Sequence, residues 1–364
     1  MKIKEITDYL ELLAPISSQE GYDNSGLIVG NSSSELTNAL ISLDCTEEII
    51  DEAIAKKCNL VIAHHPIVFS GLKKINGKNY VERTVIKAIK NDISIYAIHT
   101  NLDNYKLGVT YKISKLLGIE KPRILSPTKG KLVKIITFVP LDKIDVVKEA
   151  MFLAGAGNIG NYSEASFSTK GIGSYKGNTD SNPAYGEKGK RAHEEEIKIE
   201  MIVSTHIVQK VVAALLKSHP YEEAAYDLIE LNNTNNYEGA GMIGELTQSI
   251  SEIDFLKKIK TEFKCGVIKH TSLLNKPIRR VAWCGGSGSF LLQKAKIEKA
   301  DIFITGDFKY HEFFDAENQI IIADIGHFES EQFTIDLIAS LITKKFPTFA
   351  PCLTGINTNP VKYF

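Results

Sequence analysis

The stretch Asn59-Leu60-Val61-Ile62-Ala63-His64-His65-Pro66 constrains this chain most, because a short apolar run ends there in two adjacent histidines and a proline. Leu, Val and Ile in succession suit a strand covered on both faces, while Pro66 cannot continue a ladder and biases His65 towards an extended conformation. The reading is a buried strand that delivers two imidazoles at its carboxyl end. Successive side chains of a regular strand point to opposite faces, so both rings serve one site only where the pleat breaks. Pro66 supplies that break.

The surrounding residues alternate between strand and helix patterns. Ile6, Tyr9, Leu10 and Leu13 have helical spacing over residues 3–13, stopped by Pro15. Ala39 to Asp44 reads as a strand, and Thr46 with Glu47 and Glu48 behind it reads as the cap and first turn of a helix to about Lys57. A helix near 81–90 leads to the strand 93–98, which ends in His99-Thr100-Asn101-Leu102-Asp103. Such alternation predicts a largely parallel, helix-covered sheet with right-handed crossovers.

A different unit opens at Leu132. Residues 132–140 form a strand pattern, 142–153 a helix, and Gly155-Ala156-Gly157 a glycine-rich exit. Short alternating segments near 163–167 and 171–175 precede a polar stretch, 176–196, predicted as a surface loop. A strand at 199–203, a helix at 206–217 and a strand at 224–231 complete two β-α-β halves, which suggests a ferredoxin-like fold. After the polar linker 232–236, strand and helix alternate again. Strands at 278–283, 301–305 and 319–324 end in Cys284-Gly285-Gly286-Ser287-Gly288-Ser289, in Gly306-Asp307 and in Ile325-Gly326-His327, and one long helix is expected over 328–345. The predicted class is α/β: a discontinuous main domain, 1–127 and 235–364, carrying an inserted ferredoxin-like α+β domain at 128–234.

At 364 residues the chain exceeds the usual single-domain size, in keeping with that division. A formal net charge of -1 gives no field for nucleic acid or an anionic membrane, so general nucleic-acid binding is disfavoured. No apolar segment is long enough to span a bilayer, and a soluble cytoplasmic protein is expected. Cys45, Cys58, Cys265, Cys284 and Cys352 form no C-x-x-C pair, which argues against a disulfide framework or a zinc knuckle.

The chemistry-bearing residues fall at strand ends: His64 and His65, then His99 and Asp103, then His327 and Glu331. Ligands of open α/β sheets bind outside the carboxyl ends of strands, so along one sheet edge these groups converge. His327 and Glu331, four apart, share a helical face. Three histidines with two carboxylates exceed what one catalytic zinc uses, which favours a dinuclear site. Asp103 or Glu331 can bridge two cations about 3.5 to 4 Å apart, an arrangement suited to hydrolysis. Mixed nitrogen and oxygen donors fit Zn, Fe or Mn. His99 is assigned to supporting a ligand or contacting substrate, whereas His193, His206 and His270 read as ordinary hydrogen-bonded residues. Gly285 to Gly288 could cradle a phosphate, or simply make a tight turn. Lys73, Lys74 and Arg83 are candidates for contacting an anionic substrate.

His64-His65-Pro66, His99-Thr100-Asn101-Leu102-Asp103 and Gly326-His327-Phe328-Glu329-Ser330-Glu331, with Asp23-Asn24-Ser25-Gly26-Leu27, resemble the dinuclear-metal family of GTP cyclohydrolase 1 type 2 homologs, also described as similar to the yeast NGG-one interacting factor three. The resemblance covers roughly 1–125 and 235–364. It implies metal-ligand roles for His64, His65, Asp103, His327 and Glu331, two divalent ions per subunit, a nucleotide substrate opened by activated water, and a ring-shaped homohexamer. The middle unit, with Ala154 to Gly157 and His219-Pro220-Tyr221-Glu222-Glu223, resembles the insert of the longer bacterial members. Tyr22 stands where tryptophan is common and Thr110 where asparagine is more usual. The leading expectation is a dimetal hydrolase with GTP cyclohydrolysis as the named candidate; the alternative is a metal-carrying regulatory or scaffold protein whose insert senses a small molecule.

Overall fold

The computed structural model describes residues 1–364. The chain divides into two compact units, one of Met1–Pro127 with Tyr237–Phe364 and one of Thr128–Asn236.

In the first unit, the strand Leu60–Ala63 is buried along its whole length, as its unbroken apolar run requires. It lies between the parallel strands Ala39–Ser42 and Ser94–Ala97. Gly26–Val29 pairs antiparallel at one edge of this five-stranded sheet, and the two-residue strand Cys352–Leu353 pairs parallel at the other. The helices Glu47–Ala55 and Tyr80–Lys90 make the crossovers. Each starts where a polar side chain accepts from a free backbone N–H, Thr46 from Ile49 and Asn79 from Glu82.

A second, six-stranded sheet is built largely from the later half of the chain. Its parallel centre is Ile278–Ser287, Ile302–Gly306 and Ile321–Asp324. Thr234–Ile250 pairs antiparallel with Ile278–Ser287, Glu120–Lys129 lies beyond it, and Lys269–His270 forms the opposite edge. The sequence suggested one sheet edge for all the histidines; there are two sheets, and the histidines come from both. Strand alternation fixes the α/β class but not which strands share a ladder, because pairing is a long-range choice.

Three local features also differ from the sequence reading. The last helix is broken into His327–Glu331 and Thr334–Lys345. Ile278–Ser287 continues as a strand through the glycines rather than turning at Cys284. In the second unit, Arg191–Ser204 takes up the end of the stretch expected to be loop, pairing with Phe167–Lys176 in the register Lys176↔Arg191. Backbone groups of polar residues gain ladder partners there that composition does not reveal.

The second unit is a four-stranded antiparallel sheet, with Arg191–Ser204 and Leu132–Pro140 central and Phe167–Lys176 and Tyr226–Leu231 outside. The helices Ile144–Leu153 and Val208–Ser218 bury Val147, Met151, Val211 and Leu215 with Ile135, Ile199 and Met201 of the sheet.

Where the first unit's chain is interrupted, its two ends touch. A Cβ placed on Gly239 would lie 2.7 Å from Pro127 Cα and 2.2 Å from Ser126 O, so only glycine fits beside that backbone.

Candidate metal centre

The first sheet brings His64 and His65 past the end of Leu60–Ala63, and His99 to the start of the short helix Thr100–Asn104, which carries Asp103. The second sheet brings His327 and Glu331 on the five-residue helix after Ile321–Asp324. Both sheets present carboxyl ends to the same place, as the general rule for such sheets expects.

Each imidazole has Nδ1 engaged. His64 Nδ1–H donates to Ile98 O at 2.8 Å, and His65 Nδ1–H to Asp44 Oδ1 at 2.8 Å. His99 Nδ1–H donates to Asp23 Oδ1 at 2.8 Å, and His327 Nδ1–H to Asp307 Oδ2 at 2.6 Å. With Nδ1 fixed as donor, Nε2 is the remaining ring nitrogen for a ligand or substrate. Asp23 is further held by Thr100 N at 3.0 Å and by the Thr100 hydroxyl.

The inward atoms gather around Glu331, whose side chain is 3% exposed. Its Oε2 lies 2.9 Å from His65 Nε2 and 3.0 Å from His327 Nε2, and those two nitrogens are 3.3 Å apart. Its Oε1 faces another way, 3.8 Å from His64 Nε2, which is 3.6 Å from Asp103 Oδ1. Donors on one tetrahedral ion at about 2.0 to 2.1 Å stand roughly 3.3 Å from each other, so the first set already has ligand spacing. His64 Nε2 and Asp103 Oδ1 are buried with no hydrogen-bond partner, a costly arrangement that a cation would relieve. Three groups have donor atoms close enough to hold an ion: His65, His327 and Glu331; His64, Asp103 and Glu331; His64, His65 and His99. The residues fit a metal. His193, His206, His219 and His270 belong to none of these groups.

The charges agree. Burial disfavours charged imidazoles, yet Asp44 and Glu331 outweigh it at His65, raising it to about 9, and Glu331 with Asp307 raises His327 to about 11. Burial and then the neighbouring Glu331 push Asp103 well above the ordinary carboxyl range. Against the same burial, His327 and the other imidazoles hold Glu331 well below it. The centre therefore favours positive charge beside Glu331.

The glycines of 285–288 answer to packing around this centre. A Cβ on Gly286, which has φ +59°, would stand 2.3 Å from Glu331 Oε1, and Gly286 N–H donates to Ser330 Oγ at 2.8 Å. The following helix, Leu292–Ile297, has only six residues. Sequence reasoning did not assign the four acceptors behind the rings. Asp23, Asp44 and Asp307 are visible as acids beside turns or strand ends, but nothing in a single sequence pairs Asp44 with His65 or Asp307 with His327, while Ile98 O is a backbone group.

A cavity of about 390 Å³ opens onto the centre, lined by His65, His99, Asp103, His327 and Glu331 with the aromatic rings of Tyr22, Phe69 and Phe290. No lysine or arginine lines it, so Lys73, Lys74 and Arg83 are not brought to it; Arg83 instead pairs with Glu47 at 2.8 Å.

Fold and site together define a class: an α/β protein whose histidine and carboxylate clusters could hold metal ions. The chain belongs to the Duf34/NIF3 (NGG1p interacting factor 3) family, whose sequence profile matches residues 1–360. It is 40% identical over 324 residues to a Halalkalibacterium halodurans protein named GTP cyclohydrolase 1 type 2 homolog, covering 88% of this chain and 87% of that one. A Staphylococcus epidermidis protein of the same name is 33% identical across 100% of both chains. Among solved structures, a Bacillus cereus protein related to NIF3 aligns with a TM-score of 0.87 at 33% identity, covering 100% of this chain and 99% of that one. A Staphylococcus aureus protein aligns at 0.78 with 28% identity, with the same coverage.

Proposed function

We propose that the protein is a dinuclear-metal hydrolase acting on a nucleotide or related small compound, with GTP ring opening, suggested by the relatives' names, as the first activity to test. The observation that carries this reading is the division of Glu331: one oxygen faces His65 and His327, the other faces His64 and its neighbour Asp103. Glu331 would bridge two ions, one held with His65 and His327, the other with His64 and Asp103. Bound divalent ions lower the pKa of water and polarise a substrate oxygen.

The chain's own residues supply the rest. Asp23 holds the His99 ring, whose Nε2 is left to contact substrate or move a proton at the cavity wall. Tyr22 and Phe69, with ring centres 6.0 Å apart, and Phe290 offer apolar faces to a planar ring at the cavity mouth. Because no lysine or arginine lines the cavity, recognition of phosphate would rest on the metals and the imidazoles.

One observation favours a regulatory reading instead. A second cavity, of about 640 Å³, lies within Thr128–Asn236, walled by Tyr175, Tyr221, Phe138 and the buried Glu196. The deciding experiment measures bound metal in the wild type and in His65→Ala, then screens nucleotides for hydrolysis by the loaded wild type. About two ions per chain, lost in the variant, with metal-dependent turnover support the hydrolase. Tightly held ions with no turnover favour regulation, and no uptake of Zn, Fe or Mn overturns both.

A further inference from the structure

We infer that the segment Thr354–Tyr363 is a strap that fixes the outer side of the metal centre, with Thr358 as a positioning residue acting on His65 through Asp44. The inference rests on the metal reading above and concerns residues that reading does not use.

The strap starts from a strand. Cys352 and Leu353 pair parallel with Leu40 and Ile41, so the chain leaves in the same direction as Ala39–Ser42, towards the sheet end where Asp44 and His65 lie. Thr354 N–H donates to Ile41 O at 3.0 Å. Glu52 then grips the segment, accepting from Gly355 N at 2.8 Å and from the Thr354 hydroxyl. Beyond Gly355 the segment has no helix or strand, so side chains must hold it.

They hold it to the centre. The Thr358 hydroxyl donates to Asp44 Oδ2 at 2.5 Å, while Asp44 Oδ1 accepts from His65 Nδ1–H. Thr358 thus occupies the carboxylate oxygen that His65 leaves free and limits rotation of that carboxylate. Asn359 Nδ2 donates to Glu329 Oε1 at 3.3 Å, and Glu329 lies between His327 and Glu331 in sequence. Tyr363 covers Gly266, where a Cβ would meet its ring at 2.5 Å, so that glycine leaves the space the ring fills. A cavity of about 550 Å³ is lined by Asn359, Val361 and Tyr363 of this segment together with Asp44, His65 and His327. Asp44 borders that cavity, and the Thr358 hydroxyl is the strap's hydrogen bond that holds its carboxylate beside His65.

The chemistry follows from how outer groups act on a ligand. An acceptor on Nδ1 sets the ring's tautomer and aim, and weakening such support typically costs about 10- to 100-fold in metal affinity. Thr358 is one bond further out, so the lower end of that range is expected.

The test uses the full chain loaded with cobalt(II), comparing wild type, Thr358→Val and Thr358→Ser by ligand-field spectrum and by the rate of metal loss to a chelator. Valine keeps the shape and removes the hydroxyl, whereas serine restores it. The strap predicts an altered spectrum and roughly 10-fold faster metal loss for Thr358→Val, with Thr358→Ser returning to within about twofold of wild type. A Thr358→Val protein indistinguishable from wild type overturns the strap alone, as does a Thr358→Ser protein as defective as the valine variant. Failure of the wild type itself to take up cobalt overturns the metal reading, and the strap's role with it.

Discussion

At the scale of single residues, the centre depends on groups chosen for what surrounds them. Gly286 combines a left-handed backbone with a clash distance to Glu331, so Gly286→Ala faces two penalties. The backbone conformation alone costs about 1 to 2 kcal/mol for a residue with a Cβ. The expected result is a lower melting temperature together with loss of bound metal, measured by calorimetry and elemental analysis. His99 poses a different question, since Asp23 orients it and it lines the cavity, yet it also groups with His64 and His65. His99→Gln is expected to keep its metal and lose roughly 100-fold or more in turnover, the usual scale for a lost proton-transfer group. Loss of metal in that variant would make His99 a ligand instead. The histidines were legible in the sequence because each follows an apolar strand; their acceptors were not, because Asp44 and His65 meet by tertiary placement.

At the scale of elements, strand ends matter more than strand interiors. The run Leu60–Ala63 could be read directly from its composition, and so could Thr46 as a helix cap. That the centre draws on two sheets could not, because an apolar run looks the same in either ladder. The break after Glu331 was equally hidden: Gln332 and Phe333 carry neither proline nor glycine to announce it. Cys352–Leu353 is too short for any periodicity, yet it directs the segment that follows it. Glu52 is the clamp there, and its carboxyl is held below its ordinary value by Gly355, Thr354 and Lys56 against the effect of burial. A lowered folded-state value means that its contribution is fully present above the unfolded value of 4.5 and is lost as pH falls through the folded one. Wild type should therefore melt above Glu52→Gln at pH 7, and the difference should close as the pH is taken below 4.5. A gap that persists unchanged into acid would show that the carboxylate is not the clamp.

At the scale of the whole molecule, every residue of the candidate metal centre lies in Met1–Pro127 and Tyr237–Phe364, and so do both sheets' central strands. Excising Thr128–Asn236 and joining Pro127 to Tyr237 through a short glycine-containing loop should leave a folded protein with wild-type metal content. Circular dichroism and elemental analysis check this, and a chain that folds but binds no metal contradicts it. No helix is long and apolar enough to cross a membrane. The contact between Gly239 and Pro127 has a wider meaning. Two backbone ends already in van der Waals contact form a port: any foreign domain whose own termini lie close together can be spliced there with little loop-closure entropy to overcome. A single gene insertion would suffice to give such a centre a new attachment, and the same port offers a place to graft a reporter domain onto it.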